Sequence, residues 1–157
     1  MIEIRPIKTE NEILQVRKLL DEYSGWLLNF GDVFENYVFE IDKLINYYQY
    51  GKILILTFNN EIVGCGCLLK LDTEICELKR MFITKIYRNQ GLGKIFLSEI
   101  INIARVANYK AIKLDTYEFM KNAITLYKSV GFTEIAPHKT KLTHKMKFFE
   151  FQLAINN

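Results

Sequence analysis

The sequence predicts a mixed α/β (α+β) fold with the element order β-α-α-β-β-β-α-β-α-β-β, and three observations carry that reading. Four segments repeat apolar residues every third or fourth position, the period of a helix with one buried face. Seven shorter segments alternate apolar and polar residues or run apolar without a break, as strands do. Three of those strands follow one another across turns too short for a crossover, so they are antiparallel neighbours.

Ile2, Ile4 and Pro6 alternate with Glu3, Arg5 and Ile7 in a short first strand. Thr9, followed three residues later by Glu12, is a capping box and starts a helix. Its apolar face is Ile13, Val16, Leu20, Tyr23 and Leu27, with Gly25 and Gly31 bracketing its end. Asp32 caps a second helix whose face runs from Phe34 through Tyr37, Ile41 and Leu44 to Tyr48, until Gly51 breaks the pattern. Residues 52–59 (KILILTFN), 62–71 (IVGCGCLLKL) and 75–83 (ICELKRMFI) are the three consecutive strands. Turns at Asn59-Asn60-Glu61 and Asp72-Thr73-Glu74 join them. After residues 88–94 comes a helix with the stripe Leu92, Phe96, Ile100, Ile103 and Ala107. AIKLDT at 111–116 returns to the sheet, Asn122 to Ser129 is a short helix stopped by Gly131, and Phe132–Ile135 and Met146–Leu153 are a final pair of strands.

A chain of 157 residues, 50% hydrophobic and 25% charged, suits a single domain over 1–157, because two domains in that length would each be marginal. Lys and Arg number 21 against 18 Asp and Glu, an excess of 3 that gives no ground for a nucleic-acid partner. The opening residues MIEIRPIKTE carry no apolar signal stretch, and Cys65, Cys67 and Cys76 are an odd number. Both facts suit a reducing cytoplasm. No run approaches the roughly 18 apolar residues of a membrane span, so no membrane partner is expected. Cys65 and Cys67 share one strand face and, with only His138 and His144 elsewhere, form no metal-ligand set; they read as core residues, with no metal expected.

Gly91 and Gly93 stand between a strand and an amphipathic helix. Missing side chains let backbone N–H groups approach a ligand, and a helix N-terminus carries partial positive charge. From Leu78 to Ser98 there is no acidic residue, while Lys79, Arg80, Lys85, Arg88 and Lys94 are present, so the expected guest is an anion such as a phosphate. A Walker A loop would need glycine at Arg88 and a hydroxyl residue at Ile95; a dinucleotide fingerprint would need a small residue at Phe96 and a parallel βαβ unit. Neither is met. The bland alternative is a tight strand-to-helix turn.

The run Arg88-Asn89-Gln90-Gly91-Leu92-Gly93-Lys94 resembles the Gln/Arg-x-x-Gly-x-Gly/Ala motif of the GNAT (GCN5-related N-acetyltransferase) family. CELKRMFI before it resembles that family's fourth strand, and KNAITLYKSVGF its later segment of an Asn, a short helix, a Tyr and Gly-Phe. Element order agrees over nearly the whole chain. The resemblance implies a GNAT-type fold, a central, mostly antiparallel mixed sheet of about seven strands flanked by about four helices. It implies an N-acetyltransferase that moves an acetyl group from acetyl-CoA to an amine of a small molecule or peptide by direct attack in a ternary complex, with coenzyme A as co-substrate and a homodimer compatible with it. Met81, Phe82 and Ile83 would then pair with the pantetheine arm, where the fourth and fifth strands splay. The amides of Gln90, Gly91, Leu92, Gly93 and Lys94, with Arg88 and Asn89 leading into them, would hold the pyrophosphate. Asn122 would bond the pantetheine end, and Tyr127 would sit near the sulfur as the acid that protonates the departing thiolate.

Glu77, on the strand that would carry the pantetheine, is the candidate base; the alternatives are a strand carboxylate paired with Lys79 or Arg80, or an ordered water as the base. Tyr127 has its own plain reading as a packed helix residue. The resemblance puts the acceptor site between segments 24–51 and 136–145. The latter is basic through His138, Lys139, Lys141, His144 and Lys145, which would suit an acceptor bearing a carboxylate or phosphate, or be a solvated face. Trp26, Phe30 and Phe34 would line the other wall. A non-catalytic module that senses acyl-CoA would keep residues 88–94 without needing Tyr127, and RNA binding would want basic and aromatic residues together on one sheet face, which their core periods oppose.

Overall fold

In a computed structural model of the chain, residues 1–31, 51–137 and 145–153 are described. Seven strands form one sheet: β1 (Ile2–Pro6), β2 (Gly51–Phe58), β3 (Glu61–Lys70), β4 (Ile75–Ile83), β5 (Ala111–Tyr117), β6 (Thr133–Ile135) and β7 (Met146–Gln152). Their order across the sheet is β1-β2-β3-β4-β5-β7-β6, antiparallel everywhere except at the parallel pair β4 and β5. Three α-helices lie among the described residues: α1 (Glu10–Leu27), α2 (Leu92–Val106) and α3 (Lys121–Val130). The helix expected from Asp32 to Tyr48, Phe34 with it, and the loop residues His138, Lys139, Lys141 and His144 lie outside the described residues.

The central strands are covered on both sides, which explains their unbroken apolar runs. In β2, Leu54 and Leu56 pack with Phe96, Ile100 and Phe149 on the face of α2 and α3. Ile53 and Ile55 pack with Val16, Leu20 and Cys65 on the face of α1. Phe96, Phe148 and Phe149 are fully buried, so truncating any of them to Ala would cost about 3–5 kcal/mol.

α1 begins as the capping pattern requires, with the Thr9 hydroxyl accepting from the Glu12 N–H at 3.2 Å. The Glu12 carboxylate accepts from the Lys8 N–H at 2.6 Å and from both Arg5 terminal nitrogens at 2.6 and 3.2 Å, tying the helix start to β1. Gly25 does not end the helix, which runs on to Leu27 and a single 3₁₀ turn, Leu28–Phe30, before Gly31 breaks it at φ 139°. On α2 the buried face is wider than the expected stripe, taking in Leu97, Ile101 and Ala104, while Ala107 caps the end in solvent.

β3 and β4 lose register between Cys65 and Cys67: Lys79 faces Cys67 and Phe82 faces Cys65, so Arg80 and Met81 together oppose Gly66. This is a β-bulge, and Arg80 carries it at φ 54°. The bulge reverses the alternation. Cys76 and Leu78 face α2 and α3, and so do Met81 and Ile83, whereas Phe82 turns to α1.

Candidate active site

β4 and β5 pair through only three residues, Ile75 with Ala111, Cys76 with Ile112 and Glu77 with Lys113. β5 stays paired to β7 through Tyr117, so β4 departs and the sheet opens beyond Leu78. Free strand edges in a sheet interior leave backbone donors and acceptors for a guest. The opening is a cavity of about 460 Å³. Its walls bring together Met81, Phe82, Ile83, Arg88, Asn89, Gly93, Asn122 and Tyr127, drawn from four separate stretches of chain.

The turn after β4 is held firmly. The Arg88 Nε donates to the Ile83 carbonyl at 2.7 Å while its guanidinium lies 4.9 Å above the Phe82 ring. From α1, the Glu22 carboxylate accepts from the Thr84 hydroxyl at 2.7 Å and the Lys85 N–H at 3.1 Å, capping the 3₁₀ turn Lys85–Tyr87. Asn89 at φ 62° and Gly91 at φ 81° bend the chain into α2, where Gly91 is the N-cap and supplies no side chain to the first N–H groups. Those of Leu92, Gly93 and Lys94 have no acceptor within the helix, by helix geometry. An added Cβ on Gly91 meets nothing within 4 Å, so its backbone angle makes glycine favourable there; one on Gly93 would lie 3.2 Å from Leu126 and 3.8 Å from Ile83. Gly93 is needed for packing.

Not every expected residue lines the cavity. Leu92 is buried in the core under α2, Gln90 is exposed with its amide 3.4 Å from the Ile86 carbonyl, and Gly91 and Lys94 border a shallower depression with Ile4, Ile95, Ser98 and Glu99. Glu77 is buried at 2% exposure, 3.8 Å from Lys79 Nζ, one step inside the paired part of β4 and not in the wall. By the alternation along β4 it lies on the α1 face. Tyr127 comes from the other face, where its ring packs on Phe132 and Phe149. Burial, reinforced by the negative charge of Asp115, pushes the Tyr127 phenol up to about 12, so it keeps its proton at neutral pH.

Asp115 also lines the cavity, and the sequence reading passed over it. A carboxylate inside the apolar strand 111–117 was the signal available. Tyr23, Trp26, Tyr117, Phe119 and Met120 form the rest of the wall on the α1 side. Phe30 stacks on Phe119 at 4.0 Å, and Trp26 meets Phe30 edge-on at 4.9 Å. All three cysteines are buried with free thiols; burial raises Cys65, and Cys67 and Cys76 reach about 12, so none is poised as a nucleophile. Among the described residues no group of three or more His, Cys, Asp or Glu is placed to hold a metal, and no helix is long and apolar enough to cross a membrane.

A seven-stranded mixed sheet that opens between its parallel pair, with a basic glycine turn leading into a helix, defines the fold of acyl-CoA-dependent acetyltransferases. The chain belongs to the acetyltransferase (GNAT) family, whose profile matches residues 14–132. An N-acetyltransferase of Dictyostelium discoideum is 40% identical over 65 residues, covering 41% of this chain and 30% of its own length. A GNAT-family acetyltransferase structure from Staphylococcus aureus superposes with a TM-score of 0.81 at 25% identity, covering 98% of this chain and 100% of that one. A GNAT-family acetyltransferase from Elizabethkingia anophelis, solved with acetyl-CoA bound, shares the fold at a TM-score of 0.66 and 20% identity, covering 96% and 97%.

Proposed function

We propose that the protein is an N-acetyltransferase that moves the acetyl group of acetyl-CoA to an amine, the two substrates meeting in a ternary complex. The observation that carries the reading is the opening between β4 and β5, with the Gly91 turn and the α2 N-terminus at one end and Tyr127 in its wall. A solved relative of the same fold holds acetyl-CoA, which supports the same co-substrate here. In this reading Met81, Phe82 and Ile83 run beside the pantetheine, the N–H groups of Gln90 to Lys94 face the pyrophosphate, and Arg88 and Asn89 shape the turn that presents them. Asn122, exposed in the first turn of α3, meets the pantetheine near its sulfur. The buried free thiols suit a reducing compartment, the cytoplasm.

The neutral amine attacks the thioester carbonyl, the C–S bond breaks, and the proton lost from nitrogen balances the one gained by sulfur. Tyr127 donates its hydroxyl hydrogen toward sulfur as charge develops there. A phenol at about 12 is a weaker acid than a thiol near 8.5, so the hydrogen bond forms first and the proton follows through the site. Glu77 lies on the face opposite Tyr127 and behind the cavity wall, so it serves as base through an ordered water.

The experiment follows thiol release from acetyl-CoA over a panel of amines, amino acids and peptides. Tyr127→Phe should keep coenzyme affinity and lose about 10²–10⁴ in turnover. Full turnover would make Tyr127 a packing residue; stabilisation by acetyl-CoA with no release on any acceptor would favour a sensing module. Glu77→Gln should lower the rate most where the acceptor is protonated, and a flat ratio across pH assigns the base to water alone.

A further inference from the structure

The cavity spans a split sheet and therefore has two chemically different sides. Gly93, Leu126 and Tyr127 come from the face of α2 and α3, while Tyr23, Trp26, Tyr117 and Phe119 come from the α1 side. We infer that the acceptor is a primary amine on a short arm from a flat aromatic ring, with the ring among Trp26, Tyr117 and Phe119 and the amine beside Asp115. This rests on the transfer reaction proposed above.

The aromatic side is built rather than merely apolar. Phe119 is stacked on Phe30 at 4.0 Å with planes 10° apart and on Tyr117 at 5.4 Å with planes 3° apart, and Trp26 braces Phe30. Rings fixed by one another lose little freedom on binding, and a further ring that packs on them gains aromatic contact beyond its buried area. An unbranched alkylamine would gain the burial without the ring contacts.

Asp115 gives the polar end. Ile112 and Leu114 face α2 and α3, so alternation along β5 turns Asp115 and Tyr117 together toward α1, with the carboxylate in the cavity wall. Asp115 and Tyr127 line the same cavity, so an amine held beside the carboxylate is within the space that Tyr127 also borders. An ammonium arriving over aromatic rings beside a carboxylate is attracted by both. The other charged groups in the wall, including Lys79 and Lys121, make a polycation the wrong guest.

The probes are arylalkylamines of the phenethylamine type, unbranched alkylamines of equal carbon count, a polyamine and glycine, each with acetyl-CoA and thiol detection. The expected result is a kcat/KM for arylalkylamines about tenfold or more above the matched alkylamines. Phe119→Leu should raise the arylalkylamine KM about tenfold while kcat and the acetyl-CoA KM hold. Asp115→Asn should weaken every amine but leave the aromatic preference intact. Equal turnover of alkylamines, preference for the polyamine, or a Phe119→Leu variant with unchanged preference overturns the aromatic acceptor. So does absence of release from arylalkylamines in a protein that acetyl-CoA still stabilises. If acetyl-CoA itself gives no stabilisation, it is the transfer reaction that fails.

Discussion

Gly91 and Glu12 show how single residues fix the site and the fold. At φ 81° with open space around a would-be Cβ, Gly91 is required by its backbone angle and by whatever approaches it, not by packing. Gly91→Val should therefore fold with a strain of about 1–3 kcal/mol and bind acetyl-CoA at least several-fold more weakly, as calorimetry would register. Unchanged affinity in a folded variant would reduce the glycine to a plain turn. Glu12 has its pKa lowered to about 2, first by the Arg5 hydrogen bonds and then by the Lys8 N–H. A carboxylate with a folded pKa below its unfolded value of about 4.3 contributes stability above that value and loses it as pH falls toward 2. Glu12→Gln should lower the melting temperature at pH 7, with the gap to native closing between pH 5 and 2; a constant gap would show the ion pair contributes nothing. The glycine turn and the capping Thr9 were readable in the sequence because both act locally. Trp26 and Phe30 were named from the sequence as a wall, but Asp115, Tyr117 and Phe119 were not, because their meaning depends on which strands open.

The decisive element is β4. Its apolar pattern marked a strand, but a period-two reading puts Glu77, Lys79, Met81 and Ile83 on one face, and the bulge at Arg80 divides them. Nothing in ICELKRMFI marks an arginine at positive φ, so the sequence could not tell that Glu77 and Met81 look opposite ways. Gly25 misled for a related reason: tertiary packing of Leu27 and its neighbours carries α1 past a residue that weakens helices by only about 1 kcal/mol. The same helix reaches the glycine turn through Glu22, which caps the 3₁₀ turn before Arg88. Because Glu22 is exposed, Glu22→Ala should change stability little yet weaken acetyl-CoA binding about two- to fivefold by loosening that turn. Calorimetry giving native affinity would mean that the Arg88 bond to Ile83 holds the turn alone.

At the scale of the molecule, all seven strands and three of the expected helices were legible because a two-sided core writes its periods into the chain. Strand order was not, since the placing of β7 between β5 and β6 depends on long-range pairing that no local pattern records. That order forces β4 and β5 into parallel contact and lets them separate, so the fold itself makes the cavity to which coenzyme is assigned. A thermal-shift titration with acetyl-CoA, with ATP and NAD alongside, asks this most directly. Acetyl-CoA at about a hundred times its dissociation constant should stabilise the native state by about 2.7 kcal/mol and raise the melting temperature by about 5–10 °C, while ATP and NAD have little effect. An unmoved melting temperature with acetyl-CoA, or a rise with ATP or NAD instead, would contradict the assignment.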